Sequence, residues 1–177
     1  MKLLLPLLII TLLFTSCFKL DDNAPSLHVD DLALADVDFN RAVLTLGREG
    51  KEPIKISAGN IKWFDSDNRV IVKDLELTQS DSDGNVIITG RAGSGEIDTK
   101  NMICNLMDGV HLIKEDDKME IEAESILLDT DNSTIKVEGS VVIHLEDGYF
   151  EGIGLEANLN SMTLEMQSII KGAMYEK

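Results

Sequence analysis

The chain reads as an all-β protein, an antiparallel, folded-over, jellyroll-like stack of hairpin layers, and three features of the sequence predict this. An acidic turn recurs: Asp65-Ser-Asp-Asn68 returns as Asp98-Thr-Lys-Asn101 and again as Asp129-Thr-Asp-Asn132, after 33 and then 31 residues, with a decayed copy at Ala157-Asn-Leu-Asn160. Apolar residues alternate at period two almost throughout, and helical spacing never persists beyond a turn. The phase of that alternation slips by one residue inside several units. A strand–turn–strand unit of this length cannot bury its own apolar face, so successive units must stack and share one interior.

The elements come in order. Leu44 and Leu46 belong to a first strand and Ile54 and Ile56 to a second, which continues through Ile61-Lys-Trp63 into the first acidic turn. Val70-Ile-Val72, Leu75 and Leu77 carry the third strand away from it. Glu96-Ile97 and Met102-Ile-Cys104 flank the second turn, Ile126-Leu-Leu128 and Ile135-Lys-Val137 the third, and Met162-Thr-Leu164 comes after the decayed copy. Met119 and Ile121, then Val141, Ile143 and Leu145, then Ile153, Leu155, Ala157 and Leu159 keep the alternation going. Gly47-Arg-Glu-Gly50, Asp81-Ser-Asp-Gly84, Glu115-Asp-Asp117 and Glu146-Asp-Gly148 are hairpin punctuation closing the opposite ends. The slips fall at Ala58-Gly59 and Ala123, small residues where a bulge or corner would let a strand bend from one sheet into a second, facing one.

The N-terminus is of a different kind. Lys2 precedes an apolar run, Leu3 to Phe14, that contains Pro6 and ends in Thr15-Ser16-Cys17. A transmembrane helix needs about 20 apolar residues, and this run is shorter. It resembles a bacterial lipoprotein signal, with cleavage before Cys17 and acylation of its thiol. Residues 1–16 are thus expected to be a signal peptide, 17–26 a polar tether, and 27–177 one exported domain, with an uncleaved anchor or a plain secreted protein as the other readings of the same run.

Charge and chemistry narrow the function. The formal net charge is −16, and loss of residues 1–16 removes one lysine and deepens it by a further unit, which excludes nucleic acid as a partner. Cys104 alternates with Met102 and Leu106 and reads as a buried hydrophobe. His28, His111 and His144 have no second histidine or cysteine at ligand spacing, so no metal site is expected. Gly90-Arg-Ala-Gly-Ser-Gly95 lacks the Gly-Lys-Ser/Thr ending of a phosphate loop and reads as a glycine-rich strand. Asp81-Ser-Asp-Gly-Asn85 places its glycine too early for a calcium loop and reads as a hairpin turn. With no nucleophile elbow and no catalytic or cofactor motif, the chain is not read as an enzyme, and no cofactor is expected.

The ordered series Leu32-Ala-Leu-Ala-Asp-Val-Asp-Phe39, Ile56-Ser-Ala-Gly-Asn-Ile61, Gly84-Asn-Val-Ile-Ile-Thr-Gly90, Met107-Asp-Gly-Val-His-Leu112, Ile121–Asp129, Ile135–Ile143 and Gly152-Ile-Gly-Leu-Glu-Ala157 resembles the LptC family. More broadly it resembles the LptA/OstA-like β-jellyroll superfamily, over nearly the whole exported domain. The resemblance implies a periplasmic lipid-transfer protein on the inner membrane, held by lipidated Cys17 or by an uncleaved N-terminal segment. It would relay lipopolysaccharide or a related glycolipid from an inner-membrane ABC transporter to a periplasmic LptA-like jellyroll. Members of that family usually keep an uncleaved membrane helix, whereas this chain carries a lipoprotein-like signal.

Periodicity alone gives the alternating aliphatics as plain core; the resemblance makes them a groove for acyl chains. The residues expected to line it are Ile56, Trp63, Leu77, Met102, Leu106, Ile121, Leu128, Val137, Ile143 and Leu155. The final segment, Met162 to Ile170, is apolar on alternate positions and carries Glu165 as its one charge, poor protection for a free edge. Met162, Leu164, Met166 and Ile169 are therefore expected to mark a docking edge, and the resemblance implies that this edge joins the next jellyroll. A protein of another class, an envelope lipoprotein acting as a structural or interaction scaffold, would share these features.

Overall fold

The computed structural model describes residues 34–47 and 50–175. The expected signal (1–16), Cys17 and the tether (17–26) lie outside them. The described residues form eleven strands: β1 (Val37–Leu46), β2 (Ile54–Phe64), β3 (Arg69–Ser80), β4 (Val86–Asp98), β5 (Ile103–Met107), β6 (Val110–Lys114), β7 (Met119–Ala123), β8 (Ile126–Asp129), β9 (Thr134–Leu145), β10 (Gly148–Asn158) and β11 (Thr163–Met174). Among them no helix is long and apolar enough to cross a membrane.

All strands belong to one antiparallel sheet whose order is β1-β2-β3-β4-β5-β8-β9-β10-β11, with β6 and β7 off this path. The branch has a simple cause. β4 pairs with β6 through Ile88–Arg91 and with β5 through Ser94–Asp98, while β9 pairs with β8 through Thr134–Lys136 and with β7 through Val141–His144. β5 and β6 are thus two halves of one strand broken at Asp108-Gly109, and β7 and β8 are two halves of another broken at Glu124-Ser125. The whole is an up-and-down meander interrupted along its midline.

That midline is a crease. The register sets Arg41 opposite Gly59, Gly59 opposite Asp74, and Asp74 opposite Gly93. Gly93 N–H donates to the Asp108 carbonyl (3.3 Å), and Gly109 N–H to the Glu124 carbonyl (3.3 Å). Positive φ recurs along this line at Arg41 (51°), Asp74 (51°), Asp108 (65°), Gly109 (81°) and Gly154 (69°). A left-handed residue within a strand rotates the residues after it, so the inward-facing set changes phase there. In β3 it passes from Val70 and Val72 to Leu75 and Leu77 about Asp74; β2 changes phase as well, from Ile54, Ile56 and Ala58 to Ile61, at Gly59 beside Asp74 and without a positive φ of its own. Glycine is required at position 93: an added Cβ would lie 2.8 Å from Asp108 Cβ and 3.0 Å from its carbonyl oxygen. The expected phase slips at Ala58-Gly59 and Ala123 are real, but their meaning differs. Strands do not leave one sheet for another; a single sheet bends along a row of irregular residues.

Hairpins close the two rims. One rim carries the connection between β1 and β2 and the turns 81–85, 115–118 and 146–147, the other the turns 65–68, 99–102, 130–133 and 159–162. The rims meet in at least one place, where Lys51 Nζ donates to the Asp131 carbonyl across the mouth of the fold (2.7 Å). On the second rim Asp98 and Asp129 act alike. Each accepts, on Oδ1, the backbone N–H of the asparagine three residues on (2.9 Å in both) and, on Oδ2, its side-chain amide (2.7 Å in both). Thr99 and Thr130 tie each turn to the one before, donating from backbone and hydroxyl to the carbonyls of Asn68 and Met102.

Two copies of the repeat are displaced by one residue from the sequence expectation. The four loops begin after Phe64, Asp98, Asp129 and Asn158, so Phe64 rather than Asp65 occupies the clamp position of the first turn. The fourth copy starts at Asn158, not Ala157, and Asn158 Oδ1 accepts from the N–H groups of Asn160 and Ser161 (3.0 Å each). The left-handed residue that ends each loop is then equivalent in all four: Asn68, Met102, Ser133 and Met162.

The glycine-rich segment Gly90–Gly95 is strand within β4, as expected. Asp81 closes a hairpin, accepting the side-chain amide of Asn85 (3.0 Å) and the N–H groups of Asn85 (2.8 Å) and Asp83 (3.0 Å).

Candidate binding interior and docking edge

The inward faces of β2 to β10, with Leu46 at the end of β1, form one apolar cluster. Its members are 0–7% exposed, and no polar or charged residue is buried among the described residues. Nine of the ten groove candidates belong to the cluster: Ile56, Leu77, Met102, Leu106, Ile121, Leu128, Val137, Ile143 and Leu155. Trp63, the tenth, is half-buried and packs against it. Cys104 is buried among these residues, and burial pushes its thiol up to about 12, so it stays protonated and serves as apolar filling.

The apolar face does not stop where burial stops. Val37 and Phe39 of β1 stand in register with Trp63 and Ile61 and so continue the inward face. No described strand lies beyond them, and they are 41% and 47% exposed. Together with Leu44, Ile61 and Trp63 they line an apolar concavity of about 490 Å³. At the other end, Leu164 and Met166 pair with Ala157 and Leu155 and pack against the cluster, while Ile169 pairs with Gly152 and is 61% exposed. The inward apolar strip therefore runs from β1 to β11, closed in the middle and uncovered at both ends. Val37 and Phe39 are not among the groove residues expected from the sequence. Their alternation is visible there, but Arg41 shifts the phase before Ala42, Leu44 and Leu46 resume it, so the run looks like two fragments.

Of the four edge candidates, Leu164 and Met166 face the interior and Ile169 is exposed, whereas Met162 is a left-handed turn residue (φ 53°) preceding β11. β11 pairs with β10 alone. Its register slips between Ile169 and Lys171, opposite Gly152 and Glu151, so Ile170 is a bulge in the edge strand. From Ser168 to Met174 the strand is exposed apart from a half-buried Ala173. Lys136, on the outer face, is half exposed and lies 3.9 Å from Glu138.

Cross-strand register also gathers groups that spacing in the sequence did not. His111 of β6 pairs directly with Glu122 of β7; its Nε2 lies 3.2 Å from Glu120 Oε2 and 3.8 Å from Glu122 Oε1. On the other side of β7, Glu120 pairs with His144 of β9, whose ring stacks on Tyr149 (6.2 Å between centroids). All of this lies on the outer face, away from the apolar interior.

Comparison with known proteins agrees with the architecture. The crystal structure of LptH from Pseudomonas aeruginosa, described as the LptA-homologous periplasmic component of the conserved lipopolysaccharide transport device, superposes with a TM-score of 0.57. It shares 12% sequence identity, over 65% of this chain and 82% of that one, and so establishes a common β-jellyroll fold. No curated protein sequence matches the chain. The family described as "Lipopolysaccharide-assembly, LptC-related" matches residues 4–176, nearly the full length, and the chain belongs to that family.

Proposed function

We propose that this protein is a periplasmic relay in lipopolysaccharide transport. In this reading it takes acyl chains into the jellyroll at the β1 end and passes the lipid on at the β11 end. The observation that carries the proposal is the continuity of the inward apolar strip, from Phe39 to Ile169, with both ends uncovered. Each acyl CH₂ kept from water is worth about 0.8 kcal/mol, so a multi-chain lipid needs such a strip all along its path and no catalytic group on it. In the middle, where side chains fill the interior, chains enter as the two halves of the sheet part about the crease. The acidic surface keeps an anionic headgroup outside.

In the same proposal the N-terminal end faces an inner-membrane ABC transporter, and β11 accepts a periplasmic LptA-like jellyroll by strand addition. Such augmentation draws affinity from main-chain hydrogen bonds and register from alternate side chains. Cys17, acylated after removal of residues 1–16, would hold the domain to the inner membrane; more than one acyl chain makes such attachment stable. Intact mass of the membrane-extracted protein tests this anchor, since an unmodified Cys17 or a retained segment 1–16 refutes it.

Photocrosslinking tests the groove. A photoreactive residue at Trp63 or Ile143 should capture lipopolysaccharide, whereas one at Lys136 on the outer face should not. Equal labelling at all three positions, or none at any, rules the groove out.

A further inference from the structure

We infer that His111, Glu120 and Glu122 form a binding site for a borderline divalent transition cation, with Zn²⁺ as its best fit, on the outer face of the β6–β7 hairpin. The three side chains offer one nitrogen and two carboxylate oxygens that all lie within 4.8 Å of one another. Zinc holds such atoms at about 2.0–2.2 Å in a tetrahedron, whose corners are then roughly 3.3–3.5 Å apart. Here the imidazole Nε2 stands 3.2 Å and 3.8 Å from its two carboxylates, so small side-chain adjustments complete three corners.

The backbone fixes this arrangement. His111 and Glu122 are a direct cross-strand pair, and Glu120, two residues from Glu122, projects from the same face of β7. The imidazole is the most confined of the three, at 20% side-chain exposure against 45% and 53% for the carboxylates, which leaves the fourth position open to water. One nitrogen and two oxygens suit zinc or a neighbouring transition ion; calcium needs six to eight oxygens, and magnesium retains its water. Arg91 of β4 pairs with His111 and lines the same concavity as Glu122 and Glu151. It is exposed, so water screens its repulsion of a cation. The net acidic surface concentrates divalent ions near the site.

The test uses the full chain, extracted in detergent and carrying no histidine tag, titrated with Zn²⁺ by calorimetry and with Co²⁺ by visible absorption. One ion per chain is expected, with the intense visible bands of low-coordinate Co²⁺ and no displacement by excess Mg²⁺ or Ca²⁺. His111→Gln should weaken Zn²⁺ at least about tenfold and lose the zinc-induced rise in melting temperature, while melting like the parent without metal. Should His111→Gln fail to fold, Glu120→Gln with Glu122→Gln gives the same reading through the carboxylates. Arg91→Ala should tighten binding. Zinc affinity unchanged in these ligand variants, or ready displacement by Mg²⁺, would mean only diffuse binding to an acidic surface and would overturn the site.

Discussion

The middle of the sheet and its two end strands are built from similar apolar alternation, yet they meet opposite fates. β3 and β9 turn Val70, Val72, Leu75 and Leu77, or Ile135, Val137, Val141 and Ile143, inward, and all are at most 3% exposed. β1 and β11 carry Val37, Phe39, Ile169 and Met174 in register with that interior and leave them 41–61% exposed. Burial in this fold depends on what stacks against a residue rather than on the residue alone: within β1 itself Leu46 is 5% exposed and Phe39 47%. The end strands therefore retain uncovered apolar surface, and each has one main-chain edge that pairs with no described strand. The middle holds the fold together, and the ends are where other molecules have something to gain.

The largest effect should come from the centre. Ile121→Ala removes a fully buried side chain and should cost about 2–5 kcal/mol, read by chemical denaturation. Ile169→Ala at the end should stay within about 0.5 kcal/mol. Comparable losses at both positions would mean that the end strand is as tightly packed as the core.

The edge gives the reverse pattern. Leu164→Pro, or deletion of residues 162–177, should abolish capture of a periplasmic jellyroll partner while membrane attachment persists. If capture survives and is instead lost on changing residues 27–46, the direction proposed for the relay is wrong.

The crease offers an intermediate contrast. Gly93→Ala, in the middle, forces a Cβ against Asp108 and should cost about 1–3 kcal/mol. Arg41→Gly occupies the matching position in β1, where the left-handed conformation already suits glycine, and should leave stability unchanged or slightly raised.

The smallest effect concerns the turns. The Asn101 N–H and side-chain amide hold the Asp98 carboxyl below the usual range, and the Asn85 amide and N–H do the same for Asp81. A carboxylate whose folded pKa is depressed contributes stability above its unfolded pKa of about 3.9, and the contribution fades as pH falls through the folded value. Asp98→Ala should lower the melting temperature at neutral pH, with the deficit closing in acid. Asp65→Ala, one residue out of the clamp position, should change it less at neutral pH.

Much of this was legible because it is local. Period-two alternation, turn residues at regular intervals and small residues at the phase slips come from backbone geometry that each short segment imposes on itself. They yield an antiparallel meander with one apolar interior, and they place Ile56, Leu77, Ile121 and Ile143 on its inner face. The clamp in two of the turns was equally readable, since Asp and Asn three residues apart need only each other. The phase of the first and fourth turns was not, because it is set by pairing: Phe64 with Arg69 of β3, and Asn158 with Thr134 of β9 and Thr163 of β11.

What only the tertiary structure decided depends on register between strands, which no single strand's sequence reveals. A crease exists because Arg41, Gly59, Asp74, Gly93 and Asp108 fall side by side, and no segment alone reveals that alignment. His111 meets Glu120 and Glu122 for the same reason, across a hairpin whose pairing sets which residues face one another. Exposure of Phe39 and Ile169 likewise comes from their place at the ends of the sheet. Alternation determines which side of a strand is apolar; the number of strands stacked against that side determines whether it becomes core or an open surface.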